Sequence, residues 1–229
     1  MIEIKGLKKS YGSAVVLDIP ELRIKKGEVI GLVGNNGAGK TTLIRLLMDL
    51  IKADQGAVHV KGENVAAHES WKMFTSAFLD DSFLIGFLTP EEYFDFIGGL
   101  YNWSHTDVIN FVSKFEDVFS GEVLGKKKYI RDLSMGNRKK VGLIGTLIGN
   151  PELVYWDEPF SNLDPSTQVR VRKIIAAFAD KITFVVSSHD LHHIADVCTR
   201  IVILEKGKIV KDVQRSETSS QQLLDFFGV

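Results

Sequence analysis

The octapeptide at residues 34–41, Gly-Asn-Asn-Gly-Ala-Gly-Lys-Thr, constrains the fold of this chain more than any other stretch. An unbroken apolar run, residues 29–33, precedes it, and a helical pattern over about residues 40–50 follows. Such a run suits a strand buried on both faces in the centre of a parallel sheet. The glycines at Gly34 and Gly39 let successive backbone N–H groups turn into one concave nest for phosphate oxygens. The helix starting near Lys40 adds unpaired N–H groups and the positive end of its dipole. Lys40 adds a cation, and the Thr41 hydroxyl suits Mg²⁺. Asn35, Asn36, Gly37, Ala38 and Thr42 complete the expected contact set. Strand, loop and helix in this order predict a site for a nucleoside triphosphate.

A second apolar strand, residues 153–156, ends in Asp157 and Glu158. This spacing places two acids at the carboxyl edge of a parallel sheet, where ligand sites of α/β folds lie. Asp157 is suited to hold Mg²⁺ or its water, and Glu158 to polarise the water that attacks the terminal phosphate. A helix over about residues 165–178 joins this strand to another at 182–186, a β-α-β unit that implies a parallel sheet. Short strands at residues 3–5, 15–18 and 22–24, with turns at Tyr11-Gly12 and Lys26-Gly27, predict an antiparallel sheet at the start of the chain. From about residue 89 to 148 the pattern is helical and aromatic-rich, with Pro90 at a helix start and Tyr93, Phe94, Ile97 and Leu100 at helical spacing. Strands at 201–204 and 208–211 and an amphipathic segment at 220–227 close the chain. The expected fold is α/β, with a mainly parallel sheet, an N-terminal antiparallel β subdomain and an inserted α-helical lobe. A single domain is expected, its core at about residues 1–85 and 151–229 and its lobe at about 86–150.

The 229 residues suffice for a large buried core. With 45% hydrophobic and 25% charged residues and a formal net charge of −1, the composition gives no electrostatic ground for a nucleic-acid partner. Cys198 is the single cysteine, which excludes an intrachain disulfide and a cysteine-based zinc cluster. The N-terminal stretch reaches charged residues at once and does not read as a secretory signal. The longest uncharged, mostly apolar stretch, residues 141–149, is about half of the ~20 residues needed to span a bilayer. A cytoplasmic location is expected, with membrane contact only through a partner.

Three further segments narrow the reading: Leu133-Ser134-Met135-Gly136-Asn137, then Ser161-Asn162-Leu163-Asp164, then Ser188-His189-Asp190. With the phosphate loop and the acidic strand end, their order resembles the nucleotide-binding domain of ABC-type ATPases, across essentially the whole chain. The resemblance implies a P-loop NTPase core that binds and hydrolyses ATP with Mg²⁺. Tyr11 matches the aromatic residue that stacks on adenine. Ser134 and Gly136 match the signature that contacts the terminal phosphate held by the opposite member of a head-to-tail dimer. Ser134 is also a good N-cap, and the following helix start is another anion site. His189 matches the switch histidine near the attacking water, and Ser161 and Asp164 match the loop that links the two sites.

The same resemblance implies a second copy of such a domain, a homodimer in the simplest case, and a separately encoded transmembrane permease at the inner face of the membrane. It leans towards export subunits of the antibiotic and bacitracin-resistance type. Two rival readings are a soluble ABC-type ATPase and a nucleotide switch, each acting without a membrane partner. The sequence departs from the family pattern at Met135 and Asn137 in the signature and at Trp156 before the metal-site aspartate. Where a glutamine is expected between core and lobe, Asp80 stands, with Asp81 the alternative one residue on. A carboxylate there is able to ligate the metal while adding negative charge near the triphosphate.

Overall fold

The computed structural model describes residues 1–193 and 195–217. Among these, alternating and unbroken apolar patterns build two different sheets. Strands β1 (Ile2–Tyr11), β2 (Ala14–Ile24), β4 (Gln55–Val60) and β5 (Glu63–Asn64) pair antiparallel in the order β2-β1-β4-β5. The second sheet contains β3 (Val29–Val33), β6 (Thr75–Phe78), β7 (Leu153–Trp156), β8 (Thr183–Ser188), β9 (Arg200–Glu205) and β10 (Lys208–Gln214). Its order is β10-β9-β3-β8-β7-β6, parallel except for the edge strand β10.

All residues of β3, β7 and β8 are buried, as expected of central parallel strands. The pleat of β7 feeds two cores. Leu153 and Tyr155 join the core shared with the antiparallel sheet and helix α1 (Lys40–Leu47), whereas Val154 and Trp156 face the helices on the other side. Those helices are α2 (Pro90–Leu100), α3 (His105–Val112), α4 (Glu116–Phe119), α5 (Met135–Gly145) and α6 (Pro165–Phe178). Reciprocal capping boxes start α2, between Thr89 and Glu92, and α3, between Ser104 and Asp107. The bulk of Trp156 is seated in this second core. Its ring centroid lies 5.3 Å from that of Phe184, and Nε1 donates to the Thr146 hydroxyl at 2.9 Å.

The expected elements at 29–33, 153–156 and 165–178 form with those bounds. The two short strands expected at 15–18 and 22–24 are one continuous strand, β2, although it contains Pro20. Because β2 is an edge strand, the missing proline N–H breaks no ladder bond on its open side. Tyr11 ends β1 and opens the expected turn, pairing with Ala14 across Gly12 and Ser13, whereas α1 stops at Leu47, followed by Asp49 at φ 50°. Strand β8 runs on to Ser188, which brings two serines into the sheet edge. The segment expected at 220–227 lies outside the described residues.

Candidate functional site

The carboxyl ends of β3, β7 and β8 lie side by side, with Leu32 opposite Ser187, Val33 opposite Ser188, and Trp156 opposite Val186. The loops leaving these ends therefore meet. Gly34 enters the phosphate loop where a Cβ would stand 2.4 Å from the Leu204 carbonyl oxygen, so a side chain is excluded by backbone. Gly39 precedes α1 at φ 107°, left-handed territory that suits glycine. An open cleft of about 340 Å³ is lined by Val16, Gly37, Gly39, Lys40, Thr42 and Glu158, together with Asn36, Ala38 and Thr41. Asn35 and Gly34 line a neighbouring pocket that shares Asn36, Gly37 and Ala38 with the cleft.

Lys40 is buried, and its ammonium donates to the Gly34 carbonyl at 2.6 Å. It also lies 3.4 Å from Glu158 Oε1. The other Glu158 oxygen is 2.8 Å from His189 Nδ1, which must donate because an ionised carboxylate only accepts. Glu158 itself is at φ 50°, and its N–H donates to the Ser187 hydroxyl at 2.9 Å. That same hydroxyl bonds Asp157 Oδ1, and Thr41 Oγ1 donates to Asp157 Oδ2 at 2.6 Å. Lys40, Thr41, Asp157, Glu158 and His189, from three separate segments, thus form one connected cluster.

The Thr41 hydroxyl and the Asp157 carboxylate present adjacent hard oxygen donors. Mg²⁺ favours such donors and is commonly held by one or two protein oxygens plus phosphates and water. The donor set therefore fits Mg²⁺ at Thr41 and Asp157. Asp80 is placed just beyond β6, beside β7, but its carboxylate caps its own turn, accepting from the Ser82 N–H at 2.8 Å. Its neighbour Asp81 pairs with Arg138 Nε at 2.8 Å, which ties the turn to α5.

Tyr11 is exposed at the end of β1, with the Lys9 ammonium 5.4 Å from its ring centroid, and Val16 rather than Tyr11 lines the cleft. Asp164 caps α6, accepting from the Thr167 N–H at 3.0 Å and from the Thr167 and Ser166 hydroxyls at 2.6 Å each. These bonds, those from the Ser166 and Thr167 hydroxyls foremost, hold its carboxyl well below the usual carboxylate range. Ser134 caps α5 through the Asn137 N–H at 3.2 Å. A Cβ on Gly136 would stand 3.0 Å from the Asn162 carbonyl, so the Ser134 segment touches the loop at 161–164 within the chain. Ser134 lines a separate pocket of about 390 Å³ with Lys126, Lys128, Asp132 and Asn137. The structure thus brings Lys40, Asp157, Glu158 and His189 together and leaves Tyr11, Ser134, Gly136 and Asp164 outside that cluster.

Two residues of the cluster escaped the sequence reading. Ser187 shares the hydroxyl that bridges Asp157 and the Glu158 N–H, and the available sign was a pair of serines at the end of an apolar strand. Lys139 donates to the Glu158 carbonyl at 2.8 Å, and nothing in its local sequence marks that contact.

The sequence profile of the ABC transporter family matches residues 17–161. An uncharacterized ABC transporter ATP-binding protein of Methanocaldococcus jannaschii is 34% identical over 225 residues, which cover 91% of this chain and 76% of that protein. A second such protein, from Synechocystis, is 32% identical over 191 residues, covering 82% of this chain and 54% of its own length. The chain thus spans about half to three quarters of these curated relatives. Among solved structures, the dimeric post-hydrolysis state of the ATP-binding cassette MJ0796 bound to ADP and Pi shares the fold. Its TM-score is 0.83 at 22% identity, over 94% of this chain and 99% of that one. On the matched profile and on relatives above 30% identity, joined to the clustered phosphate loop and strand-end acids, the chain belongs to the ATP-binding proteins of the ABC transporter family.

Proposed function

We propose that this chain binds ATP with Mg²⁺ and hydrolyses it to power transport by a membrane-embedded partner. The observation that carries the reading is the bracketing of Glu158 between Lys40 and His189 at the mouth of the phosphate-loop cleft. Residues 34–42 cradle the phosphates through backbone N–H groups, and Lys40 offers its charge to them. Thr41 and Asp157 would hold Mg²⁺, which when bound neutralises charge on the phosphate oxygens. Glu158 takes a proton from water as the water oxygen bonds to the terminal phosphorus. The bond from that phosphorus to the bridging oxygen breaks, and the electron pair leaves with ADP. His189 steadies the second Glu158 oxygen, so one carboxylate lone pair stays aimed at the cleft.

Ser134 and Gly136 lie on a pocket separate from the cleft, which supports a site completed by a second copy. The MJ0796 neighbour of the same fold is dimeric. In this reading Tyr11 stacks on adenine, and Asp164 with Ser161 sits at the junction between copies. Residues 1–85 and 151–229 act as the core and 86–150 as the lobe that meets a permease at the inner face of the membrane. Phe87 in the lobe and Phe83 just before it, 67% and 56% exposed, are suited to that contact, while Phe94 is core. Outward transport follows from the resemblance to export subunits, and the direction of ATP-driven flux in vesicles holding the permease checks it.

Glu158→Gln is the deciding experiment. It is expected to cut ATP turnover by roughly 10²–10⁴-fold while ATP still binds and holds the chain as a dimer in size-exclusion chromatography. A wild-type rate in this variant would remove Glu158 from the reaction.

A further inference from the structure

The proposed reaction leaves one cation of the cluster unused. Lys139 lies in α5 with 5% of its surface exposed. A buried ammonium is unfavourable unless it is paired and hydrogen-bonded. Here Nζ donates to the Glu158 carbonyl at 2.8 Å and to the Ser161 hydroxyl at 2.5 Å. The Ser161 hydroxyl in turn donates to the same carbonyl at 2.9 Å, which closes a triangle. Burial lowers the Lys139 pKa, while the carboxylates of Asp81, Glu158 and Asp157 act in the opposite direction and favour the charged form.

The carbonyl that Lys139 grips belongs to a residue at φ 50°, a left-handed conformation uncommon for a residue with a side chain. The Glu158 N–H is held by Ser187, and its side chain lies between Lys40 and His189. These restraints come from the phosphate loop and the sheet edge. Lys139 brings a further one from α5, the helix that Ser134 caps, whose Arg138 also holds Asp81.

Resting on the reading of Glu158 as the base, we propose that Lys139 is a positioning residue. Its ammonium fixes the Glu158 backbone and links the placement of α5 to the aim of the Glu158 carboxylate. Because α5 carries the segment assigned to the opposite site of a dimer, the same strut ties one site to the other.

The test uses Lys139→Met, which keeps length and bulk but removes the donor, beside Glu158→Gln and the double variant. Lys139→Met is expected to lower kcat by about ten- to a hundredfold, the scale of a misplaced reacting group, with KM for ATP changed by no more than about twofold. The double variant should be no slower than Glu158→Gln, and Lys139→Arg, which keeps cation and donors, should recover most of the rate. Lys139→Gln, too short to reach both oxygens, gives the same kcat reading if the methionine variant does not fold. Wild-type kcat in the Met and Gln variants, with Glu158→Gln inactive, would overturn the positioning role and leave the hydrolytic reading standing. A further independent loss in the double variant would also overturn it. Wild-type turnover in Glu158→Gln would instead overturn the base assignment and the positioning role together.

Discussion

At the scale of single residues, side chains of similar chemistry hold different posts because their neighbours differ. Asp157 faces Thr41 and Ser187 at the cleft, whereas Asp80 turns its carboxylate onto the N–H of Ser82. Both are aspartates within two residues of the end of a strand of the parallel sheet, and the contacts around them are what set them apart. Asp80→Ala is expected to lower stability by about 1 kcal/mol through loss of the cap, read from thermal or urea denaturation. Asp80→Asn keeps the cap and removes the charge. If Asp80 also serves the metal, that variant raises the Mg²⁺ concentration needed for half-maximal hydrolysis, and an unchanged requirement confines Asp80 to the turn. Trp156 shows the converse: its position departs from the family pattern, yet its Nε1 finds Thr146 and its ring finds Phe184, so the core absorbs its bulk.

At the scale of elements, caps and close approaches set where helices begin and how they lie. Asp164 starts α6 by accepting from Thr167 and Ser166, and these bonds lower its pKa from 3.8. A lowered folded-state pKa means that the unfolded chain binds the proton more readily. The stabilisation is therefore fully present above the ordinary carboxylate value and is lost as the pH falls below it. Asp164→Ala should accordingly show a lower Tm than wild type at neutral pH and a gap that narrows on acidification below pH 3.8. A gap constant with pH would refute the carboxylate cap as its source. Helix α5 lies close to β6 because Gly142 has no side chain; a Cβ there would stand 2.1 Å from the Phe78 ring. That proximity brings Lys139 within reach of the loop after β7, a consequence of packing that no helical periodicity announces.

At the scale of the whole molecule, two sheets and a set of helices hold the proposed reaction centre at one sheet edge while the Ser134 segment opens elsewhere. Among the described residues no helix is long and apolar enough to cross a membrane. The proposed coupling to transport runs through a surface, with the exposed Phe83 and Phe87 as its contact. The chain is expected to co-purify from detergent-solubilised membranes with an integral protein. Phe87→Glu should release it while leaving ATP hydrolysis by the free chain within about twofold, as for surface substitutions distant from a site. Retention of the partner by that variant would move the contact elsewhere. The sequence by itself determined the glycine-rich loop between strand and helix, the buried parallel strands and the strand-end acids, because each follows from local backbone freedom or from a short period of apolar residues. Only the tertiary structure decided that Thr41 meets Asp157 across 116 residues of chain, that Ser187 and Lys139 hold Glu158 by its backbone, and which phenylalanines face outward. Those contacts depend on strand register and on the close approach of helix to sheet, and both are settled only when distant segments pack together.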